Sequence, residues 1–270
     1  MNTDKIPDIE RWQSREVYAA CLGLIDLTSL NATDTEAKII SIIEKVNSFP
    51  AAYPHYPQVA AMCLYPNFAS VAKEYLQDRR VKIAVVAAHF PSAQGLLRIK
   101  REECQRAAAD GAQELDVVLP LHHFLAGDYY ACSHEISVMK RAAGDAQLKV
   151  ILETGAIKEP ELIHKAAMIS MEAGADFIKT STGKMEPAAT PEAACIICEA
   201  IKKFYRLSNK MVGFKAAGGI ATPEDAALYY AIVETILGKE WLNSRFFRIG
   251  ASRLINNLLS ILEKNETTYY

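Results

Sequence analysis

Four charged side chains interrupt segments of the chain that are otherwise apolar. Asp116 stands inside the run Leu115–Leu119, and Lys179 and Lys215 each follow a short apolar run. Asp26 lies near the end of a fourth run. Burying a charge is costly unless the charge is paired or used chemically. These four positions are therefore the first candidates for a reactive site.

The two lysines indicate a particular chemistry. Burial beside another cation lowers the pKa of a lysine and leaves a free amine that attacks carbonyl groups. Lys179 and Lys215 could supply the amine and the neighbouring cation, so the pair predicts imine formation with a carbonyl substrate. Taken singly, each of the four charges could equally be a strand-end residue that pairs with a neighbour, and this alternative stays open.

Glycines follow the last three apolar runs of the chain. They are Gly183, Gly218, Gly219 and Gly250. Backbone N–H groups in the loops after the last strands of a parallel barrel commonly bind phosphate, and Lys184 and Ser252 could add a charge and a hydroxyl. The same glycines could serve only to turn the chain, because glycine adopts turn conformations readily.

Eight short apolar runs alternate with longer segments of helical periodicity. The predicted strands are Leu22–Leu27, Val59–Leu64, Lys82–Ala87, Glu114–Leu119, Leu148–Glu153, Asp176–Thr180, Met211–Lys215 and Phe246–Ile249. The predicted helices include Asp34–Asn47, Phe68–Gln77, Leu97–Ala109, Glu159–Ala173, Pro191–Tyr205, Pro223–Ile236 and Ser252–Glu263. Thr190 and Thr222, each followed by Pro, and Asp34 provide N-terminal helix signals. Nearly continuous apolar strands are typical of a parallel sheet that is buried on both faces.

The fold class predicted from this alternation is α/β, a single (β/α)8 TIM barrel. Eight units in 270 residues give about 34 residues per unit, as in such barrels. A doubly wound open sheet is the alternative, but it normally carries a glycine fingerprint after the first strand, and Leu27–Leu30 contains no glycine. We expect one domain over residues 1–270, with a lead over residues 1–20 and a mobile tail over residues 264–270.

Composition excludes several function classes. Thirty basic and thirty-two acidic residues give a net charge of −2, with no basic block, so no nucleic-acid partner is expected. No apolar stretch is long enough to span a membrane, and we expect no signal peptide, because residues 1–9 lack a basic segment followed by an apolar one. Six scattered cysteines fit a reducing, cytoplasmic location. His122 and His123 are adjacent, a spacing not expected to converge on one ion, so neither a metal nor another cofactor is expected.

The motifs around the candidate residues resemble those of deoxyribose-phosphate aldolase, a class I aldolase family with a (β/α)8 barrel. The resemblance runs from about Leu22 to Leu259 and on to the last residue. The matching segments are Ile25-Asp26-Leu27-Thr28, Cys63-Leu64-Tyr65-Pro66, Phe177-Ile178-Lys179-Thr180-Ser181-Thr182-Gly183-Lys184, Gly213-Phe214-Lys215-Ala216-Ala217-Gly218-Gly219 and Gly250-Ala251-Ser252.

This resemblance implies a reaction and a role for each charged residue. The reaction is the reversible cleavage of 2-deoxy-D-ribose 5-phosphate to D-glyceraldehyde 3-phosphate and acetaldehyde. Lys179 matches the lysine that forms the Schiff base, and Lys215 matches the second lysine, which lowers the pKa of the first. Asp116 matches the aspartate that works with Lys215 in proton transfer, and Asp26 matches an acid of the same hydrogen-bonded network.

The resemblance also implies a substrate-binding set. It consists of Thr182, Gly183, Lys184, Gly218, Gly219, Gly250 and Ser252. Many relatives carry a basic residue where this chain has Ala221 and a small residue where it has Arg253, so we hypothesise that Arg253 supplies the missing cationic contact to phosphate. Some relatives end in a tyrosine that enters the site, and Tyr270 matches that position.

The expected partners are therefore a small sugar phosphate and acetaldehyde, in a role in deoxyribonucleoside catabolism. The sequence leaves the oligomeric state open, with a homodimer as one form, and it does not decide the reactivity of Cys63 or the tolerance for unphosphorylated substrates. Two other functions stay open. One is a different phosphosugar-binding barrel enzyme, a lyase or isomerase, that uses the lysines only as electrostatic clamps. The other is a non-catalytic sugar-phosphate sensor.

Overall fold

Eight short parallel strands pair in chain order, and the first pairs with the last, so the sheet closes into a barrel. The computed structural model describes residues 6–270. The strands are β1 (Ile25–Thr28), β2 (Ala61–Leu64), β3 (Lys82–Ala87), β4 (Glu114–Val118), β5 (Gln147–Ile151), β6 (Phe177–Lys179), β7 (Gly213–Ala217) and β8 (Phe247–Ala251). The predicted (β/α)8 architecture is confirmed. The first five residues of the predicted N-terminal lead lie outside the described residues.

Helices surround the barrel and connect successive strands. They are α1 (Arg15–Leu22), α2 (Glu36–Ala52), α3 (Ala69–Tyr75), α4 (Leu97–Ala109), α5 (Leu121–Leu125), α6 (Tyr129–Ala142), α7 (Thr154–Ile157), α8 (Pro160–Glu172), α9 (Pro191–Ser208), α10 (Pro223–Ile236) and α11 (Leu254–Glu263). Helix α1 precedes the barrel and packs against α10 and α11.

The predicted elements are all present: β3, α4 and α10 have the predicted ends, and the ends of the others are shifted. The first strand was predicted to begin at Leu22, but Leu22 ends α1, whose N-cap Ser14 accepts a hydrogen bond from the Val17 amide. At the start of α2 the cap is Thr35 rather than Asp34. The capping roles predicted for Thr190 and Thr222 are confirmed, because each side chain accepts a hydrogen bond from the third residue that follows it.

Side chains alternate between the two faces of each strand. Those that point outwards, such as Leu115 and Val117, join the apolar core between the barrel and the helices. On the inner face, β2 and β3 contribute small apolar residues, namely Ala61, Cys63, Ala84 and Val86. The remaining strands contribute the charged residues Asp26, Glu114, Asp116, Lys149, Lys179, Lys215 and Arg248, all buried. The barrel interior therefore has an apolar side and a charged side.

An aromatic ring lies against the charged side. Phe177 is fully buried, with the Lys149 ammonium 5.9 Å and the Arg248 guanidinium 5.7 Å from its ring centroid. Its Cα pairs in register with Gly213 of the next strand. A Cβ on Gly213 would lie 2.3 Å from the Phe177 ring, so the glycine gives the ring the room that it occupies beside these cations.

Candidate active site

Asp116 lies at the centre of the charged side of the barrel. Its Oδ2 accepts hydrogen bonds from Lys179 Nζ and Lys215 Nζ, both at 2.8 Å. Its Oδ1 accepts one from Lys149 Nζ at 3.1 Å. The four residues come from β4, β5, β6 and β7, so four neighbouring strands meet at one buried carboxylate. The structure thus brings together Lys179, Lys215 and Asp116, which the sequence selected separately.

Asp26 extends this network from the first strand. Its Oδ2 accepts from Lys215 Nζ at 2.5 Å and from Lys149 Nζ at 3.4 Å, and its Oδ1 accepts from Arg248 Nη1 at 2.6 Å. Lys215 therefore lies between two carboxylates, those of Asp26 and Asp116. A buried lysine with two such partners is held in one position and in its charged form.

Three members of the network were missed by the sequence reasoning. Glu114 accepts two hydrogen bonds from Arg248, with Nη2–Oε1 at 2.7 Å and Nη1–Oε2 at 3.1 Å, and its Oε2 also accepts from Lys149 Nζ at 2.5 Å. The signal that identified Asp116, a charge inside an apolar strand, applies equally to Lys149 and Arg248. Glu114 precedes Asp116 by two residues, which places both side chains on the same face of β4.

The environment fixes the ionisation of these groups. Burial alone would raise the pKa of Asp116, but the neighbouring Lys149, Lys179 and Lys215 outweigh it and hold the pKa well below its ordinary value. Burial alone would lower the pKa of Lys215, but Asp116 and Asp26 outweigh it and raise the pKa above its ordinary value. At neutral pH, Asp116 is therefore a carboxylate and Lys215 an ammonium ion.

Lys179 differs from the other two lysines in its access to solvent. A cavity of about 300 Å³ opens at the carboxyl ends of the strands, and Lys179 lines it. Lys149 and Lys215 are fully buried and do not line this cavity. A small molecule in the cavity would therefore meet the Lys179 amine first, with the Lys215 cation sharing the same Asp116 oxygen.

The loops around this mouth carry the predicted substrate-binding residues. All eight line the same cavity as Lys179: Thr182, Gly183, Lys184, Gly218, Gly219, Gly250, Ser252 and Arg253. Ala221 lines it as well. The structure therefore places the whole predicted set at the carboxyl-terminal face, where barrel enzymes bind their substrates.

Glycine occupies positions 218 and 219 for different structural reasons. Gly218 has φ of +94°, and a Cβ there would lie 2.6 Å from Ala188 Cβ, so the loops after β6 and β7 could not approach as they do with a larger residue. Gly219 has φ of +80°, yet a Cβ there would meet no atom within 4 Å. Its backbone is therefore open to a ligand in the cavity.

The start of α11 adds unpaired donors to this rim. Its N-cap position is Arg253, whose side chain makes no capping hydrogen bond. The first backbone N–H groups of a helix have no partner within the helix and carry partial positive charge, so they attract anions. The exposed Arg253 side chain and the Ser252 hydroxyl lie beside them.

Two other rim residues are engaged with protein groups. Thr182 donates its hydroxyl to Glu153 Oε2 at 2.5 Å and its backbone N–H to Glu153 Oε1 at 3.1 Å. Lys184 Nζ donates to the Leu30 carbonyl at 2.6 Å, so this side chain reaches from the loop after β6 to the loop after β1. Glu153 was also missed by the sequence reasoning, although it follows directly on an apolar strand.

Tyr270 does not lie in the mouth cavity. The tail returns along α11, where the Tyr270 backbone N–H donates to Asn256 Oδ1 at 3.0 Å and its carbonyl accepts from Asn256 Nδ2 at 2.9 Å. Its ring packs 6.1 Å from that of Phe49 on α2. The predicted mobile tail is thus held against the barrel in this structure, because its two final aromatic rings bury apolar surface between α2 and α11.

Cys63 lies inside the barrel beside the charged network. Its Sγ is 4.0 Å from Asp116 Oδ2, and burial raises the pKa of the thiol above its ordinary value. A buried neutral thiol is a weak nucleophile. Cys63 therefore forms part of the apolar side of the interior.

The expectation that His122 and His123 cannot converge on one ion is not supported by the geometry. Their ring nitrogens and a Glu135 carboxylate oxygen lie within 4.8 Å of one another. The buried Lys100 ammonium, however, donates to the same Glu135 carboxylate. That ammonium places a positive charge beside the group, which opposes a divalent cation there.

The docked tail buries a polar group. The Tyr270 hydroxyl is buried without a hydrogen-bond partner among the described residues. We expect Tyr270→Phe to raise the free energy of unfolding by about 1 kcal/mol, because a buried unpaired hydroxyl is destabilising. Urea unfolding followed by circular dichroism measures the change.

Tyr269 provides the matched control for this prediction. Its hydroxyl lies 2.8 Å from both the Lys45 carbonyl and the Ser48 hydroxyl. Tyr269→Phe should therefore lower the free energy of unfolding by about 1 kcal/mol. An equal decrease in the free energy of unfolding for the two variants would show that the Tyr270 hydroxyl has a hydrogen-bond partner in solution.

Comparison with known proteins places the chain in a family. Residues 21–251 match the family model described as DeoC/LacD family aldolase. A Caenorhabditis elegans protein named "Putative deoxyribose-phosphate aldolase" is 41% identical over 252 residues, which is 92% of this chain and 82% of that protein. Within residues 6–270, the helices are all too short or too polar to span a lipid bilayer.

Solved structures agree with this placement. An aldolase named QR15 has a TM-score of 0.74 and 30% identity, covering 90% of this chain and 96% of its own. Deoxyribose phosphate aldolase from Aeropyrum pernix, described as a tetramer, has a TM-score of 0.71 and 25% identity, covering 97% of this chain and 98% of its own. The chain belongs to the DeoC/LacD aldolase family.

Proposed function

We propose that this protein is a class I aldolase that reversibly cleaves 2-deoxy-D-ribose 5-phosphate to D-glyceraldehyde 3-phosphate and acetaldehyde through a Schiff base on Lys179. One observation carries the proposal: Lys179 lines the mouth cavity and shares a carboxylate oxygen with the cationic Lys215. The family assignment supports aldolase chemistry, and the C. elegans and A. pernix relatives are named for this substrate.

The first step is formation of the imine. Lys179 transfers a proton to solvent through Asp116, and the resulting amine attacks the C1 aldehyde of the open-chain sugar. Lys215, which donates to the same Asp116 oxygen, places a positive charge beside this amine. Loss of water from the carbinolamine then gives an iminium ion, which draws electrons from the sugar chain.

Cleavage of the C2–C3 bond follows. A base removes the proton of the C3 hydroxyl, C3 becomes the aldehyde of glyceraldehyde 3-phosphate, and the bonding electrons move to the iminium nitrogen to form an enamine. The Asp116 carboxylate, which is ionised at neutral pH, can accept this proton through a water molecule. Protonation of the enamine carbon and hydrolysis release acetaldehyde and restore Lys179.

Two groups could supply the proton to the enamine carbon. Lys215 is an ammonium ion beside Lys179. Tyr270 is the second, and its backbone is paired with Asn256, only three residues into α11 from Arg253. At 1.5 Å per residue that distance along the helix is about 4.5 Å, so a released tail is long enough for the hydroxyl to reach the rim.

The phosphate of the substrate is assigned to the rim of the cavity. The open backbone at Gly219, the unpaired N–H groups at the start of α11 and the Arg253 guanidinium supply donors and positive charge. The binding energy gained through the phosphate holds the reacting carbons over Lys179. We propose that no metal takes part, that the protein acts in deoxyribonucleoside catabolism, and that it is cytoplasmic.

The imine is tested by reductive trapping. Sodium borohydride added in the presence of acetaldehyde should convert Lys179 to an N-ethyl lysine, because the reagent reduces the Schiff base. Peptide mass spectrometry locates the modified residue. The same result is expected after treatment with a chelator.

Variants make this test specific. Lys179→Arg should abolish the adduct, whereas Lys210→Arg, at an exposed lysine outside the cavity, should leave it unchanged. Absence of an adduct on any lysine, or an adduct on another lysine alone, would overturn the proposed mechanism and favour a phosphosugar isomerase or a binding protein.

Arg253 is tested through the phosphate. We expect Arg253→Ala to raise KM for 2-deoxyribose 5-phosphate by about tenfold or more, because a charge-assisted hydrogen bond contributes about 1.5–3 kcal/mol. Steady-state kinetics with the unphosphorylated sugar provides the control, since its kcat/KM should not change. Arg245→Ala, at the opposite face of the barrel, should leave both substrates unaffected. An unchanged KM in Arg253→Ala would remove the proposed compensation for Ala221.

Tyr270 is tested through turnover. Tyr270→Phe should slow turnover by about 10²-fold or more, the usual contribution of a positioned acid, while leaving the barrel folded. The rate of proton exchange at the methyl group of acetaldehyde, followed by NMR in heavy water, should fall with it. If both rates match those of the unmodified protein, Lys215 rather than Tyr270 delivers the proton.

A further inference from the structure

Ionised side chains run through the barrel from one face to the other. A cavity of about 780 Å³ lies at the amino-terminal ends of the strands, and Glu114 and Arg248 line it. Lys179 lines the cavity at the opposite face. Between them, Lys149 and Asp116 complete a chain of hydrogen-bonded charges. The proposed reactive lysine is therefore linked to the rear face.

Two routes connect the Glu114–Arg248 pair to the centre. On one route, Glu114 binds Lys149, which donates to Asp116 Oδ1 at 3.1 Å. On the other, Arg248 donates to Asp26 Oδ1 at 2.6 Å, and Asp26 Oδ2 accepts from Lys215 at 2.5 Å. Both routes end at the Asp116 carboxylate, the first at Oδ1 and the second at Oδ2, where Lys179 and Lys215 each donate at 2.8 Å.

The Glu114–Arg248 pair is almost completely buried. Glu114 is 2% and Arg248 3% exposed, so both groups have lost most of their hydration. A buried ion pair seldom stabilises a fold more than apolar residues of similar volume would, because desolvation offsets the attraction. The effect that an apolar replacement could not reproduce is the electrostatic potential at the other charged groups.

The interior charges nearly balance. Four cations (Lys149, Lys179, Lys215 and Arg248) face three anions (Asp26, Glu114 and Asp116), which leaves one excess positive charge when all are ionised. Within a buried site, adding or removing one charge changes the protonation of its neighbours strongly. Removing one member of the Glu114–Arg248 pair changes this balance in a direction set by which member is lost.

We propose that Glu114 and Arg248 are positioning residues that set, from the rear of the barrel, the fraction of Lys179 that is present as free amine. The inference rests on the proposed function of Lys179. Arg248 holds Asp26 and Glu114 holds Lys149, so the pair acts through these two groups and never touches the substrate. The charged or titratable groups around Lys179 are Asp26, Cys63, Glu114, Asp116, Lys149, Glu153, Lys184, Lys215 and Arg248.

The two single variants should have opposite effects. Glu114→Gln removes a negative charge, favours the neutral amine, and should move the acid limb of the pH profile to lower pH by about one unit. Arg248→Met removes a positive charge, favours the ammonium ion, and should move the limb to higher pH by a similar amount. The double variant restores the balance and should return the midpoint close to that of the unmodified protein.

The measured quantity is the rate of the borohydride-trappable adduct with acetaldehyde as a function of pH. Glu114→Asp and Arg248→Lys keep the charges and should keep the midpoint even where they lower the rate. Arg245→Met is the matched control, because Arg245 lines the same rear cavity but is exposed, and it should shift nothing. Circular dichroism identifies any variant that does not fold, in which case the charge-conserving and double variants provide the comparison.

The outcomes separate the two hypotheses. An adduct in the unmodified protein, together with midpoints that move in the same direction or not at all in the variants, would overturn the role of the pair and leave the proposed function standing. Absence of any adduct in the unmodified protein would overturn both. Rates that fall at all pH values without a shift would show that Glu114 and Arg248 support only the structure.

Discussion

The Asp116 carboxylate, buried and hydrogen-bonded to three lysines, is the interaction on which the rest of the site depends. A carboxylate without exposure must be paired, and Asp116 is paired by side chains from β5, β6 and β7. Each lysine in turn requires an anion, which brings in Asp26 and Glu114. The network is therefore closed on itself, and its geometry requires that β1 and β4–β8 converge as they do in a closed barrel.

The division of the interior into two sides follows from the same requirement. Six strands supply the charges, while β2 and β3 supply small apolar residues such as Ala61 and Ala84. The side chains of β2 and β3 offer the lysines no hydrogen-bond acceptors that compete with the carboxylates. The lysine hydrogen bonds therefore go to the carboxylates. Space and low polarity near Lys179 thus arise from residues that carry no chemistry themselves.

Structural features that depend on neighbouring residues could be predicted from the sequence, whereas contacts between residues far apart in the chain could not. Strand positions, the parallel barrel and the charges at Asp26, Asp116, Lys179 and Lys215 follow from local patterns, because an anomalous charge is visible within five residues. The hydrogen-bond partners of those charges cannot be found from local patterns. Two of these partners, Glu114 and Arg248, are 134 positions apart in the chain and meet only when the barrel closes. The docking of Tyr270 against Phe49 depends likewise on packing between distant elements.

Under the proposed function, binding and chemistry take place at different structural levels of the same barrel. The rim consists of loops and a helix terminus, where Gly218 allows two loops to approach and Gly219 leaves backbone exposed to a ligand. The interior consists of strand residues whose positions are fixed by pairing with both neighbours. A phosphate held at the rim can therefore move with the loops, whereas the hydrogen-bonded charged side chains around Asp116 cannot. Among the seven charged residues of the interior, Lys179 is the one that lines the mouth cavity, and it also binds Asp116. Under the proposed function, that residue couples recognition of the substrate to the charge balance below it.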